Sequence, residues 1–438
     1  MNKSAILTLV SIYLLYMGMV VVQPVKADFR TLVVPDDYET IGEAVGNATD
    51  GDLVFVKSGT YQESMLVINK SISLIGENAT RTKVYLNPPF INVTIFTVTF
   101  EMRDGSIKIN ANDFKLSGFT FFSLGGISSI AGDRLEIIGN TIPTGLTVSG
   151  SCSTIADNTI TGGKFELSGS NNTIKGNTLD VSGTPAASCK GSYNLILENN
   201  ATGSSSFYVE GYSNVLFNNT INFGYGLDLD GTENIIAKNN LTSLIVLGSN
   251  NTAYANEITS GMTIWCKNSV FYANHISLIY PIVWSNSGNN LFYHNNFEGN
   301  IKFREDQEIT PYYWDNGKEG NYWSGYLGFD GNGDGIGDVP FIIDANTTDR
   351  YPLMKPFDIS AITIELPKWV DDAVFSQPSA SSILPSPTAS TSPSFGIQPQ
   401  EPNPFPTALM AGVLGVTAII LVSVNLFYYI KNKTRNFV

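Results

Sequence analysis

The middle of the chain repeats one phrase: an Asn, a variable residue, then an aliphatic or aromatic residue. Copies stand at Asn140-Thr-Ile142, Asn158-Thr-Ile160, Asn177-Thr-Leu179, Asn219-Thr-Ile221, Asn239-Asn-Leu241, Asn256-Glu-Ile258, Asn274-His-Ile276 and Asn295-Asn-Phe297, with a weaker one at Asn199-Asn-Ala201. Successive Asn positions lie 18, 19, 22, 20, 20, 17, 18 and 21 residues apart. Ahead of each copy comes a short run of aliphatic or aromatic residues, as at 135–138, 214–217 and 290–293, and such runs predict strands. Residues 114–121 fit the same frame, with Phe119 at the Asn position.

A period near 20 with two or three strands is too short for a propeller blade. It has none of the helical periodicity of ankyrin or tetratricopeptide units, and the Leu-x-x-Leu-x-Leu frame of leucine-rich repeats is absent. What remains is a coil whose rungs stack as parallel strands, about 11–13 of them. The fold class expected is therefore all-β, a parallel β-helix. A tight corner favours Asn, which tolerates a left-handed backbone. Rungs about 4.8 Å apart let its amide bond to the rungs above and below. An unmet polar group at such a buried corner would cost about 1–3 kcal/mol.

The flanks of the repeat carry a more specific signal. Residues 31–45 (TLVVPDDYETIGEAV), 51–56 (GDLVFV), Gly59-Thr-Tyr-Gln-Glu63 and 68–77 (INKSISLIGE) resemble the opening strand and capping helix of a right-handed parallel β-helix. The pattern is similar to the pectin-lyase-like β-helix domain shared by NosD-type periplasmic proteins and the carbohydrate-binding and sugar-hydrolase group. Residues 313–324 (YWDNGKEGNYWS) and 349–354 (DRYPLM) resemble the end module of surface-anchored, mostly archaeal, members. The resemblance implies a cap over 28–58, rungs over 59–310 and a C-terminal cap module over 311–357, with 358–376 an unassigned extension. The capping helix would cover the open first rung and block edge-to-edge growth.

Both ends of the chain speak of membranes. Residues 5–22 form an apolar run after Lys3, and Val25-Lys26-Ala27 offers small residues for cleavage, so 1–27 reads as a signal peptide. An uncleaved anchor is the alternative. Residues 407–430 carry no charge and would make roughly 36 Å of helix, enough to cross a bilayer. Tyr428 and Tyr429 end the run, and Lys431, Lys433 and Arg435 follow, placing the tail 431–438 in the cytoplasm. Between body and anchor, 377–406 holds eight Pro, seven Ser and two Thr, with no Lys or Arg, and reads as an extended stalk. Asn-x-Ser/Thr sequons stand at Asn47, Asn69, Asn78, Asn92, Asn171, Asn200, Asn218, Asn240, Asn250 and Asn346, which suits a glycosylated exterior. The expected location is the cell surface, on a single membrane pass.

Composition narrows the chemistry. The formal net charge of −14 argues against a nucleic-acid partner. The 42 Asn outnumber the 39 acidic residues, so amides carry much of the chain's polarity. Asp330-Gly-Asn-Gly-Asp-Gly-Ile-Gly-Asp338 places oxygen donors from Asp330, Asn332, Asp334, the Ile336 carbonyl and Asp338 at calcium-loop spacing. Position 12 is Phe341, so a further ligand would have to come from Asp344 or Asp349. A structural calcium is expected there. Tyr208 and Glu210, with Asp228 and Asp230 in equivalent places 20 residues on, should point outward on neighbouring rungs, and Trp265 and Trp284 stand 19 apart. Carboxylates that hold hydroxyls beside aromatic rings are how sugar sites are built. The six are carbohydrate-binding candidates, with Asp228, Asp230 and Glu210 the catalytic candidates. The paired acids with basic partners of β-helix polygalacturonases and pectate lyases are not recognisable. His275 and His294 lie out of register without a third His, which argues against copper. Cys152 and Cys189 stand about two rungs apart, beyond bridging distance, and with Cys266 read as buried free thiols. The leading function is a surface binding or structural module contacting an extracellular or cell-wall glycan. The rival is a polysaccharide lyase or glycoside hydrolase, and the third reading a NosD-like accessory to copper-site assembly.

Overall fold

The computed structural model describes residues 29–87, 91–95, 98–102, 107–123, 128–277, 282–283, 288–299, 302–303, 312–344 and 347–370. Three long sheets wind together as one parallel β-helix. The first has 13 strands, from Thr31–Val34 to Leu291–Tyr293. The second also has 13, from Gly59–Glu63 to Tyr322–Trp323. The third has 12, from Leu66–Ile68 to Lys302–Phe303. The chain visits them in that order once per rung, and each strand pairs in parallel with its counterparts one rung away, as in Thr159↔Thr178↔Asn200. Among the described residues two antiparallel pairs stand apart from the three sheets, Ile91–Ile95 with Val98–Met102 and Phe341–Asp344 with Thr347–Asp349.

Alternation decides what fills the coil. Along the first sheet Leu116, Ile137, Ile155, Ile174, Ile196, Leu216 and Ile236 stack in register, each no more than 1 % exposed. Each such burial is worth about 1.5–3 kcal/mol. Phe207, Leu227 and Leu244 do the same in the third sheet.

The Asn repeat forms a bonded column at the corner between the first and second sheets. Asn158 donates through its backbone N–H and through Nδ2 to Asn177 Oδ1, both at 3.0 Å, and Nδ2 also donates to Ile137 O at 2.7 Å. The same three bonds recur at Asn140, Asn177, Asn199, Asn219, Asn239, Asn256, Asn274 and Asn295. Phe119 opens the column, its N–H donating to Asn140 Oδ1. The expected left-handed backbone falls one residue earlier. It is Asp157, Glu198, Asn218, Lys238, Ala255 and Ala273 that hold φ between 52 and 56, each directly before a column Asn. The left-handed residue makes the corner, and the Asn is kept for hydrogen bonding. A second column, absent from the sequence reading, runs along the corner between the third and first sheets. There Ser153, Asn172, Asn194, Asn214, Asn234, Asn251, Ser269 and Asn290 accept backbone N–H bonds in series.

Both ends of the coil are closed by charged side chains. The capping helix is Ile41–Asn47, with Thr40 as its N-cap. Glu63 accepts from Ile41 N–H at 2.7 Å and Gly42 N–H at 3.2 Å, while Lys70 Nζ donates to the carbonyls of Val45, Gly46 and Ala48. An acid at the helix start and a base at its end complement the helix dipole and its unmet groups. At the far end Asn321 continues the Asn column, and Asp349 Oδ2 accepts from Asn321 N–H, Asn321 Nδ2 and Trp323 Nε1. Each column N–H and one Nδ2 proton point toward this end, so a carboxylate is the complementary stop. Asp349 is fully buried, and burial pushes its carboxyl up to about 6 against the pull of these donors. A Cβ on Gly320 would lie 1.8 Å from Asp349 Oδ1, so the backbone there must be bare. The described residues 312–344 and 347–357 thus extend the first sheet by the Leu291↔Tyr313 bridge and the second by Tyr322–Trp323, and stop the column.

The extension 358–376 acquires a role over its described part. Ile362 and Ile364 pack on Ala237 and Tyr254, and Leu366, Trp369 and Val370 on Leu195, Leu197 and Val215. Tyr254 Oη donates to Glu365 O at 2.8 Å. The segment is a strap along the outer face of the first sheet. In that row Leu195, Val215 and Ile235 are apolar, whereas earlier rungs show Lys115, Glu136, Thr154 and Thr173. The segments expected to be signal peptide (1–27), stalk (377–406), membrane run (407–430) and tail (431–438) lie outside the described residues, among which no helix is long and apolar enough to cross a membrane.

Candidate functional site

The outer face of the third sheet carries the acidic and aromatic strip. Register pairs Ser188↔Tyr208↔Asp228↔Ile245 in one outward row and Lys190↔Glu210↔Asp230↔Leu247↔Trp265 in the next. Tyr208, Glu210, Asp228 and Asp230 therefore form a block two residues wide and two rungs deep, with Val209 and Leu229 pointing inward at 0 % exposure. Trp265 stands two rungs beyond Asp230, 43 % exposed. Trp284 lies outside the described residues.

Electrostatics separates the four polar members. Lys190 Nζ lies 3.2 Å from Glu210 and 5.4 Å from the centre of the Tyr208 ring, supplying a basic partner that the sequence reading did not find. It was legible only through register, since Lys190 is one rung before Glu210 in the same row. Burial, with Glu210 and Asp230 nearby, pushes the Tyr208 hydroxyl up to about 12. Burial and then Asp230 raise the Asp228 carboxyl above the usual carboxylate range. Among the described residues no protein hydrogen bond or ion pair engages Asp228 or Asp230. A half-buried carboxylate pair with open lone pairs, beside a tyrosine and a lysine, can accept several hydroxyl protons at once.

The other candidates are placed differently. In the loop from Asp330 to Asp338, Asp330 accepts from Gly333 and Gly335 N–H, Asp334 from Ile336 N–H, and Asp338 from Gly331 N–H. Asn332 Nδ2 donates to Asp334. The loop's acids are turned onto its own amides, and among the described residues no group of three or more His, Cys, Asp or Glu is set to hold a metal. Asp349, one of the two expected supplementary ligands, is committed to the end of the Asn column. His275 sits on the second sheet between Glu257 at 3.5 Å and Glu298 at 3.2 Å. His294 occupies a left-handed corner, bonded to Glu319 and stacked on Phe357. All three Cys are free. Cys189 and Cys266 are buried, and burial pushes both thiols up to about 12. Cys152 is exposed, contrary to expectation, because it takes the left-handed corner place before Ser153.

No protein-family model and no curated protein matches the chain. Among solved structures, similarity extends to the Dettilon tailspike protein, at 13 % identity and a TM-score of 0.45, covering 62 % of this chain and 68 % of that one. A PL6 family alginate lyase shows 12 % identity and a TM-score of 0.39, covering 67 % of this chain and 51 % of that one. The mannuronan C-5 epimerase AlgE6 A-module of Azotobacter vinelandii shows 11 % identity and a TM-score of 0.34, covering 63 % of this chain and 91 % of that one. The assignment as a parallel β-helix stands on the strand pairing of this chain itself.

Proposed function

We propose that the protein is a membrane-anchored, cell-surface β-helix that binds an extracellular glycan on the outer face of its third sheet. The observation that carries this is the pair Asp228 and Asp230, half-buried and unbonded among the described residues, between the Tyr208 ring on the rung before and Trp265 two rungs on. The carboxylates would take sugar hydroxyls, and the rings would cover apolar sugar faces. The signal peptide, stalk and membrane run supply the setting. A glycan array probed with the full-length protein tests the reading: retention of one glycan class supports it, and no retention across the array contradicts it. The Lys190–Glu210 contact beside Tyr208 favours a second reading, a lyase or hydrolase. That reading requires release of unsaturated or reducing ends, lost on Asp228→Asn or Asp230→Asn. Calcium at the loop from Asp330 to Asp338 is proposed as a structural ion that would exchange the loop's internal N–H bonds for the cation. Chelation would then lower the melting temperature.

A further inference from the structure

Past the antiparallel pair Ile91–Ile95 and Val98–Met102, five sequons fall within the coil, at Asn171, Asn200, Asn218, Asn240 and Asn250, and all five Asn are exposed. Among the described residues no protein hydrogen bond engages their side-chain amides. Their neighbours behave oppositely. Asn172, Asn219 and Asn251 are 1 % exposed, and each Nδ2 is bonded to a backbone carbonyl. The coil enforces this division. Two residues after a column Asn the chain points into the core, at Ile174, Ile221 and Ala253, each 0 % exposed. A Ser or Thr there would bury a hydroxyl at a cost. No column Asn is therefore followed by a sequon hydroxyl, while the left-handed corner Asn just before it is followed two places on by a strand Thr, as in Asn218-Asn219-Thr220.

The five sites are unevenly distributed around the coil. Asn171 and Asn250 stand at the corner between the third and first sheets, and Asn218 at the corner between the first and second. Asn200 and Asn240 lie on the outer face of the second sheet, paired through Thr220. The strands of the third sheet hold none.

We infer that these five Asn are N-glycosylated, and that their glycans clothe the second sheet and both edges of the first while the outer face of the third is left bare for its ligand. This rests on the exterior placement and third-face site proposed above. The reaction joins Asn Nδ2 to the anomeric carbon of a sugar delivered on a lipid-linked diphosphate donor. A C–N bond forms, the sugar–phosphate C–O bond breaks, and the amide proton leaves with the diphosphate lipid.

Intact-glycopeptide mass spectrometry of the full-length protein, taken from the cells that make it, is expected to show sugar mass on all five Asn. Unmodified peptides at these positions would overturn the inference. Hydroxyl-radical footprinting before and after deglycosylation then reads the faces without any ligand. Tyr193, at the Asn171 corner one rung on and 39 % exposed, should gain label severalfold on removal of the sugar. Trp265 should change by less than twofold. An equal gain at Trp265 would overturn the bare-face assignment. Failure of the glycan array would count against the binding reading alone.

Discussion

A polar column and a polar strip lie along the same rod and differ above all in whether the rod supplies their partners. In the corner column each Asn amide has every partner supplied by the rungs around it, and the column ends on a buried carboxylate that accepts the last donors. In the outer strip Asp228 and Asp230 stand on one strand, half-buried, with no hydrogen bond or ion pair among the described residues. The Asn repeat at rung spacing, whereas the two Asp sit two residues apart on one strand, Leu227–Thr232. The first is closed and therefore structural. The second is open, so its unmet capacity is what a ligand would use.

Substitutions can break this comparison or sharpen it. The largest effect is expected from Asn219→Leu, which strips the acceptor from Asn199 N–H and Nδ2 and the donor from Ile196 O. A loss of about 3–5 kcal/mol in denaturant unfolding is expected. A loss below about 1 kcal/mol would mean that the column carries little. Next comes the column's end. The folded Asp349 carboxyl lies at about 6 against 3.8 when unfolded, so the native state binds the extra proton between those values. Its contribution is fully present below about pH 4 and is lost as pH rises through about 6, by about 3 kcal/mol at most. Asp349→Asn keeps the Oδ acceptor for Asn321 and Trp323 and should flatten that part of the stability–pH profile. An unchanged slope would refute the assignment.

Smaller effects sharpen the contrast. Ala255 and Ala273 hold left-handed corners with φ of 55 and 52, so Ala255→Gly should stabilise by about 0.5–1 kcal/mol. Asp228→Asn combined with Asp230→Asn should leave stability unchanged or slightly raised, because it relieves a raised, unpaired carboxylate. The same pair should weaken glycan retention at least tenfold.

The repeat made the coil and its first Asn column legible, because Asn-x-apolar fixes both a corner and a core position. The second column was hidden because Ser153 opens it and Ser269 interrupts its Asn series without interrupting the bonding. The left-handed residues were misplaced by one position because composition there is mixed, with Glu198, Lys238 and Ala255 sharing the role. The strap was signalled by Leu195, Leu197, Val215, Phe217 and Ile235 at outward positions, which only a covering segment explains, but sequence alone does not say that Trp369 and Val370 supply it. Lys190 became a site residue only when register set it beside Glu210. The outward facing of Tyr208, Glu210, Asp228 and Asp230 followed directly from period-two alternation around Val209 and Leu229.

The most direct test pairs retention on a glycan array with thermal unfolding, for the full-length protein and its Asp228→Asn, Asp230→Asn variant. Lost retention at an unchanged or higher melting temperature is the predicted result. Full retention, or a fall in melting temperature as deep as that of Asn219→Leu, would contradict the division between a closed structural column and an open binding strip.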